Sequence, residues 1–419
     1  MGAVNAAAVL TTQIEAIDKK LPVMFDRDDT FYSLLEKRPV TVVSNKAMRI
    51  PLELRPGGYF GHFDPNGGDL GRGSGPTFSE ATISPVNFKF AVEWTKSAEW
   101  GTDDSRKAIV NTFKHLLAKA MPDFRRHVET MCMTAGDGVL GVVSTHAHTS
   151  SILDTINLAT DGFGAKLLRF GQKINVYDTT LATHRTVGNE LEISFYDVVN
   201  KQIQVPTVPN TLTDGDKIVV SGLSGASPTS IYGVPYHNSV STSGSWLGYT
   251  RSSTPEVIAN GVNATGALSL AHARLARNRI GDRIGMDAMP KLVAFCHPCQ
   301  QQAYEEMGQL VSNIQKTSSS ESLNLYFGDS MQLAGSPLKT SYMWDKTRID
   351  FINLDTWARA ELHPAKFYDV EGRKIFEVRG ASGGVATSQV FYITASFNIY
   401  NSNPAAGSYV YGLTVPTGY

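Results

Sequence analysis

The longest helical pattern in the chain begins at Asp103 and runs to about Ala135. Thr102 or Asp103 is a suitable N-cap residue and Gly136 a suitable stop. The pattern predicts a helix on the order of 50 Å long, kinked at Pro122 because an interior proline removes a backbone hydrogen bond. Apolar residues follow the i, i+3, i+4 spacing of one helix face at Ile109, Phe113, Leu116, Leu117, Ala120, Phe124, Val128, Met131 and Cys132.

Residues 46–100 have no helical period, and they predict an extended hairpin. Arg49–Leu54 and Val86–Trp94 have strand character, the second with bulky residues at alternate positions. The stretch between them holds eight glycines, yet it also carries aromatic rings that a purely solvated loop would not carry. An isolated hairpin is marginally stable. We therefore expect another chain to cover these rings. The alternative is that the stretch is a flexible surface loop.

The first 45 residues predict an arm with two short helices, Leu10–Lys19 and Thr30–Lys37. Isolated helices shorter than ~12–15 residues are marginal in water. The arm is therefore expected to lean on another surface.

The remainder of the chain mixes strands and helices, and it shows no internal repeat. At about 100–200 residues per domain, two or three domains are expected. The predicted elements are a β-rich unit at Gln172–Val220, a loop at Ser221–Ser253, a helix at Val262–Arg283, a buried strand at Lys291–Cys296 running into a helix begun by Pro298, a strand at Arg348–Leu354, and strands around Phe367, Phe376 and Val390–Tyr400.

Charge is scarce in this sequence. The 419 residues include 38 Lys+Arg and 39 Asp+Glu, and charged residues make up 18% of the chain, against roughly 25% in an average soluble domain. A net charge of −1 argues against a dedicated nucleic-acid binder and a polybasic membrane-surface protein. Three cysteines exclude an even disulfide framework. With no signal sequence and no membrane span in view, a cytoplasmic origin is expected.

Three motifs could carry chemistry, and their context argues against each. Gly380–Gly384 matches the nucleophile elbow with Ser382 as nucleophile, but a strand follows where that elbow needs a helix. Cys296 and Cys299 form a C-x-x-C motif without a second ligand pair for zinc, so buried free cysteines are expected. His146, His148 and Asp154 could be metal ligands, although they are placed in a Ser/Thr-rich loop. The sequence predicts no catalytic, cofactor or metal site.

The order of elements resembles the major capsid proteins of tailed bacteriophages, the Hong Kong 97-type family. The hairpin at Lys46–Trp100 feeds directly into the helix at Asp103–Ala135. Further likenesses are the strand and helix at Val293–Pro298 followed by Tyr304 and Leu325–Asp329, and the closing run Val390–Tyr400.

This resemblance implies an α+β Hong Kong 97-type capsid fold. Its expected parts are an N-terminal arm (1–45), an extended loop (46–100), a peripheral domain with a spine helix (101–150), an axial domain (151–340) with a small β-rich insertion at about 172–220, and return strands of the peripheral domain (341–419). The implied function is structural: a major capsid subunit that self-assembles into an icosahedral shell around packaged double-stranded DNA, located in the virion and assembled in the host cytoplasm.

The resemblance also implies contacts and partners. Subunit-contact residues on the extended loop would be Tyr59, Phe60, Phe63, Arg72 and Phe78, with Trp94 and Trp100 at its base. The expected partners are other copies in hexamers and pentamers, a separate scaffold protein, a portal, a decoration protein in some cases, and DNA held by weak non-specific contact, with no membrane. Alternatives are an encapsulin-like nanocompartment shell and a hydrolase using Ser382 or a metal at His146 and His148. Lys89 and Lys96 lie on the returning strand, but no acid partner supports a covalent cross-link.

Overall fold

The structure is a computed structural model that describes residues 29–38, 41–44, 47–62, 71–97, 112–147, 153–159, 163, 165–186, 190–206, 212–223, 226, 228–315, 332–379 and 385–419. The helices are α1 (Thr112–Cys132), α2 (Val234–His237), α3 (Leu270–Ile284) and α4 (Pro298–Gln315). The strands are β1 (Glu36–Lys37), β2 (Thr41–Ser44), β3 (Ala47–Arg55), β4 (Thr77–Ile83), β5 (Val86–Thr95), β6 (Val139–Ala147), β7 (Asp154–Leu158), β8 (Lys173–Tyr177), β9 (Leu191–Glu192), β10 (Phe195–Asp197), β11 (Gln202–Val205), β12 (Lys217–Val220), β13 (Ser245–Trp246), β14 (Tyr249–Thr250), β15 (Asn260–Gly266), β16 (Leu292–Cys296), β17 (Gln332–Leu333), β18 (Ser336–Thr340), β19 (Ile349–Asn353), β20 (Trp357–Phe367), β21 (Phe376–Arg379), β22 (Val385–Asn401) and β23 (Ser408–Leu413).

A central sheet is built around β22, which is 17 residues long. β20, β5 and β21 pair with it antiparallel, and β1 adds to β20 in parallel. Side chains alternate along β22, so Ala395 and Phe397 face the cluster that contains Phe124 of α1, whereas Tyr400 faces the cluster that contains β3 and β4. Both faces of the sheet are therefore covered, and the predicted strands near 367, 376 and 390–400 are confirmed.

The spine helix expected from the apolar pattern is confirmed over the described range of α1. Its 21 residues span roughly 31 Å, and Pro122 lies inside it. The predicted part at 103–111 lies outside the described residues. The helix ends at Cys132, ahead of the predicted Ala135, and the Thr134 hydroxyl donates to the Met131 carbonyl at 2.8 Å. The chain then reverses at Gly136, whose φ of +93° favours glycine.

The predicted helix at Thr30–Lys37 is wrong. The chain forms a short 3₁₀ turn at Tyr32–Leu34 and then β1. The buried Glu129 carboxylate of α1 accepts the backbone N–H groups of Phe31 at 3.0 Å and Tyr32 at 2.7 Å, while β1 pairs with β20. Tertiary contacts therefore override the local helical tendency. The other predicted arm helix, Leu10–Lys19, lies outside the described residues.

The hairpin at 46–100 is confirmed in part, with different pairing. β3 pairs on one side with β2 and on the other with β4, which the sequence did not predict as a strand. The register of β3 and β4 pairs Met48 with Ile83 and Arg55 with Thr77. The strand Val86–Trp94 is present as β5, but it pairs with β22 in the central sheet. The hairpin is therefore β3–β4, and β5 returns the chain to the core.

The β-rich unit begins earlier than predicted. β6 and β7 join β8 to β12 in one seven-stranded sheet with the order β10-β11-β7-β6-β12-β8-β9. The unit therefore starts at Val139, directly after α1, and not at Gln172. His146 consequently lies on a strand and not in the predicted loop. Strands at Lys173–Tyr177, Gln202–Val205 and Lys217–Val220 are confirmed.

A third large sheet has six strands in the order β15-β23-β19-β16-β18-β17. The strand Leu292–Cys296 and the helix opened by Pro298 are confirmed. The predicted helix at Val262–Arg283 is wrong in its first part, because Asn260–Gly266 is a strand parallel to β23. α3 begins after Ser269, whose hydroxyl oxygen accepts the His272 N–H at 3.3 Å.

Candidate subunit interface

The β3–β4 hairpin has one buried and one exposed face. Met48, Ile50 and Leu52 alternate along β3, and Ala81 and Ile83 lie beside them on β4; all five are buried. The intervening positions of β3, at 49, 51 and 53, are exposed. This period-two pattern gives the hairpin a single apolar face, which packs on its own subunit.

The buried face packs on the segment Ser221–Ser253, which the sequence predicted as a loop. This segment contains α2 and the small hairpin β13–β14, and the surface it offers is called the seat below. Trp246 and Leu247 of that hairpin pack against the buried face. The Tyr249 hydroxyl donates to Ser79 Oγ at 2.7 Å, and Arg55 Nε lies 2.9 Å from Glu256 Oε1. The base of the hairpin is therefore fixed to its own chain.

A buried histidine orients Trp246 in this seat. The Trp246 indole N–H donates to His237 Nδ1 at 2.9 Å, and His237 Nε2 lies 3.1 Å from the Ile399 carbonyl. Because an indole nitrogen can only donate, Nδ1 must accept and Nε2 must carry the proton. Burial lowers the pKa of His237 from 6.5 to about 3. The ring is therefore neutral, with both nitrogens hydrogen-bonded.

Acidification is expected to destabilise this seat. The folded state keeps His237 neutral down to a pKa of about 3, whereas the unfolded chain takes up a proton near pH 6.5. The contribution of the neutral His237 ring to the free energy of unfolding is complete above pH 6.5. It is lost at about 1.4 kcal/mol per pH unit as the pH falls towards 3.

Denaturant unfolding at pH 7, 6, 5 and 4 measures this effect. His237→Gln should lower the slope of unfolding free energy against pH by about the amount that one bound proton contributes. His363→Gln, at an exposed histidine, is the matched control. An unchanged slope in His237→Gln would contradict the role of this ring.

The tip of the hairpin projects beyond the seat. Its two sides meet where the Gly58 N–H donates to the Ser74 carbonyl at 2.6 Å and the Ser74 hydroxyl donates to the Gly58 carbonyl at 3.2 Å. A Cβ at Gly57 would lie 2.4 Å from the Pro76 nitrogen, so only glycine permits this approach. The exposed fractions are 74% for Tyr59, 96% for Phe60 and 70% for Phe78. Burying these rings requires a partner surface.

The structure separates the seven predicted contact residues. Tyr59, Phe60, Arg72 and Phe78 are exposed on the hairpin. Trp94 is fully buried, with its ring centroid 5.7 Å from that of Phe391. Its assignment to a subunit contact is therefore corrected: β5 is a central-sheet strand, and its indole packs inside its own chain. Phe63 and Trp100 lie outside the described residues.

Other exposed apolar residues were missed by sequence reasoning. Leu275 is exposed on α3, and Met286 is exposed just after that helix. Tyr368, Val370 and Ile375 are exposed around the β20–β21 connection. Their apolar character was the available signal, but helical periodicity alone does not say which stripe faces the core.

The motifs with possible chemistry lie in inert surroundings. Cys296 and Cys299 are buried free thiols, and burial raises the pKa of both, that of Cys299 to about 11. His146 Nδ1 lies 3.8 Å from Asp214, and no group of three His, Cys, Asp or Glu side chains suited to a metal occurs among the described residues. Ser382 and His148 lie outside those residues, and the strands that flank Ser382, β21 and β22, pair antiparallel.

Comparison with known proteins gives a result at the level of fold. No family model and no curated protein sequence matches the chain. The chain is similar to the capsid asymmetric unit of cyanophage A-1(L), with a TM-score of 0.54 and 12% identity over 95% of this chain and 96% of that one. It also aligns with the capsid of a native GTA particle (TM-score 0.46, 12% identity, 99% of each chain) and an encapsulin complex from Synechococcus elongatus PCC 7942 (TM-score 0.47, 8% identity, 100% of this chain and 98% of that one).

The chain therefore has the fold of a phage capsid subunit. The likeness to the cyanophage subunit runs through nearly the whole of both chains. The α+β capsid fold of the Hong Kong 97 type, expected from the order of elements, is confirmed at this coarse level. In the described part of the chain, no helix is long and apolar enough to cross a membrane.

Proposed function

We propose that this chain is the major capsid subunit of a tailed bacteriophage and self-assembles into an icosahedral shell that encloses double-stranded DNA. The observation that carries the proposal is the full-length likeness to the cyanophage A-1(L) capsid subunit, with a TM-score of 0.54. The rings of Tyr59, Phe60 and Phe78 support it independently, because they are largely exposed in the described part of the chain and contact with another subunit would bury them.

In this assignment each part of the fold has a structural role. The central sheet with α1 is the peripheral domain, the six-stranded sheet with α3 and α4 is the axial domain, and the seven-stranded sheet is an insertion between them. The β3–β4 hairpin is the extended loop, and its tip contacts the next subunit. Interfaces are depleted in charge and enriched in aromatic residues, which accounts for a chain with only 18% charged residues.

The proposed partners follow from the shell. Copies of the chain form hexamers and pentamers, and a scaffold protein, a portal and a decoration protein act during or after assembly in the host cytoplasm. A wall with a net charge of −1 per subunit contacts DNA weakly, because strong binding needs many lysines and arginines on phosphates. The role is structural and not enzymatic: the raised pKa values of Cys296 and Cys299 keep both thiols protonated at neutral pH.

Assembly and contents test this function together. The purified chain, alone and co-expressed with its scaffold, is expected to sediment as closed particles far larger than the 45.5-kDa subunit. Particles recovered from infected cells should hold nuclease-protected DNA. A cargo protein in place of DNA would favour a nanocompartment, and a stable monomer under all these conditions would overturn the proposal.

A further inference from the structure

His297 lies at the point where β16 runs into α4, and its ring is held in one orientation. Its Nδ1 accepts the backbone N–H of Cys299 at 3.1 Å. Because Nδ1 accepts, Nε2 carries the proton of the neutral ring. His297 is only 5% exposed, yet no hydrogen bond joins Nε2 to another described residue, and Nε2 keeps contact with solvent. An almost completely buried side chain therefore presents one unpartnered donor to the surface.

Two tyrosine rings flank this donor. The ring centroid of Tyr342 lies 5.7 Å from that of His297, and the ring centroid of Tyr419 lies 6.2 Å from it, each ring nearly perpendicular to the imidazole. Tyr342 is 54% exposed and Tyr419 is 45% exposed. His297 is thus the buried member of a surface cluster whose other two rings are half-exposed.

Two lysines lie beside the same ring. Lys346 belongs to the turn before β19, and its backbone carbonyl accepts Gln300 Nε2 at 2.7 Å, which holds that turn against the first residues of α4. Lys166 Nζ lies 5.8 Å from the centroid of the Tyr342 ring. Both ammonium groups act together with burial to lower the pKa of His297 to about 4. The unpartnered donor therefore lies in a positive field.

The described residues leave this positive field uncompensated. Among them, no carboxylate contributes to the shift in the pKa of His297. The acid next to Lys346 is Asp345, whose carboxylate accepts the backbone N–H and the hydroxyl of Thr347, both at 2.7 Å. The positive end of the dipole of α4, an 18-residue helix, adds to the field from the same side. This combination favours a bound anion.

We infer that the cluster of His297, Lys166 and Lys346 at the start of α4 binds a phosphate group. The phosphate oxygens accept from Nε2–H and from the two ammonium groups, which come from three separate segments of the chain. A tetrahedral anion suits such a divergent set of donors better than a planar carboxylate. The phosphate is either free in solution or part of a DNA backbone. The site lies within one subunit, so the inference goes beyond the proposed shell function and does not depend on it.

Equilibrium dialysis of the purified full chain against inorganic phosphate tests the site. The wild type should bind one phosphate per subunit. Lys346→Gln and Lys166→Gln should each weaken binding about tenfold, because each removes one charge-assisted contact. The matched control is Lys374→Gln, at an exposed lysine between β20 and β21, which should bind like the wild type. Both site lysines are half-buried and not in the core, so thermal unfolding should report folded chains throughout.

Duplex DNA distinguishes the two sources of phosphate. A site that takes a backbone phosphate predicts that Lys346→Gln makes the slope of log binding constant against log salt shallower by about 0.9, while Lys374→Gln leaves that slope unchanged. An unchanged slope together with weaker binding of inorganic phosphate would assign the site to free phosphate. Equal phosphate affinity in the wild-type, Lys166→Gln and Lys346→Gln chains would overturn the inference, whether or not the chain forms shells.

Discussion

Replacement of the hairpin tip, residues 56–76, by an Asn-Gly turn is expected to leave a folded subunit that no longer forms shells. β3 and β4 still pair up to Arg55 and Thr77, and a two-residue Asn-Gly turn suits such a hairpin. The buried face of the hairpin and its seat on Trp246 are untouched. The rings of Tyr59 and Phe60 are removed from every contact in the shell. At roughly 2 kcal/mol for each buried aromatic anchor, each contact would weaken about a thousandfold.

A point variant separates the loss of the rings from the loss of tip length. Phe60→Ser should reduce particle yield in the same direction, whereas the matched substitution Val199→Ser, at an exposed apolar position between β10 and β11, should have little effect. Thermal unfolding of the purified subunits should agree within a few degrees among all three variants and the wild type. Shells of normal size and yield from the tip-replaced chain would disprove the role of the tip.

Loss of the Asp350 carboxylate is expected to destabilise the subunit by about 3–5 kcal/mol. Asp350 is completely buried on β19 and accepts hydrogen bonds from Arg348 Nε at 2.8 Å, Asn238 Nδ2 at 2.6 Å and Trp344 Nε1 at 2.9 Å. Asp350→Ala leaves the Arg348 charge without its carboxylate. The same step removes one of the hydrogen bonds of Asn238, which follows the α2 helix that carries His237, while its bond to the Ser408 carbonyl at 3.0 Å remains.

Urea unfolding of the tip-replaced subunit measures this effect without interference from assembly. The matched control is Arg49→Ala, which breaks an exposed pair with Glu80 of 3.0 Å and should cost less than about 1 kcal/mol. Equal losses of unfolding free energy in the two variants would contradict the stabilising role of the buried Asp350 carboxylate.

The local pattern of apolar residues predicted the elements whose buried face can be read from their own sequence. The apolar stripe of α1 and the strand Leu292–Cys296 before Pro298 are present where the sequence placed them. Pairing over long sequence distances was not predictable in the same way. β6 joins β12 across some 70 residues of chain, and β5 pairs with β22 near the C-terminus. Neither the start of the seven-stranded sheet nor the sheet that β5 joins therefore follows from local periodicity.

The residues of the candidate interface were likewise predictable where local sequence decides their exposure, and not where pairing with a distant strand decides it. The tip rings of Tyr59 and Phe60 could be predicted as exposed because glycine-rich sequence on both sides offers them no core. Trp94 was misplaced, because strand alternation does not say which sheet the strand joins. Leu275 fits the helical period but is exposed, because the face that α3 presents to its sheet is formed by Ala273, Ala276 and Ile280.

Cryo-electron microscopy of particles formed by the wild-type chain tests the central claim most directly. The account predicts a closed icosahedral shell in which each subunit has the fold described above and the tip with Tyr59 and Phe60 lies against an adjacent subunit. A particle-free preparation of discrete monomers, or a shell in which Phe60 remains exposed to solvent at every position, would contradict it.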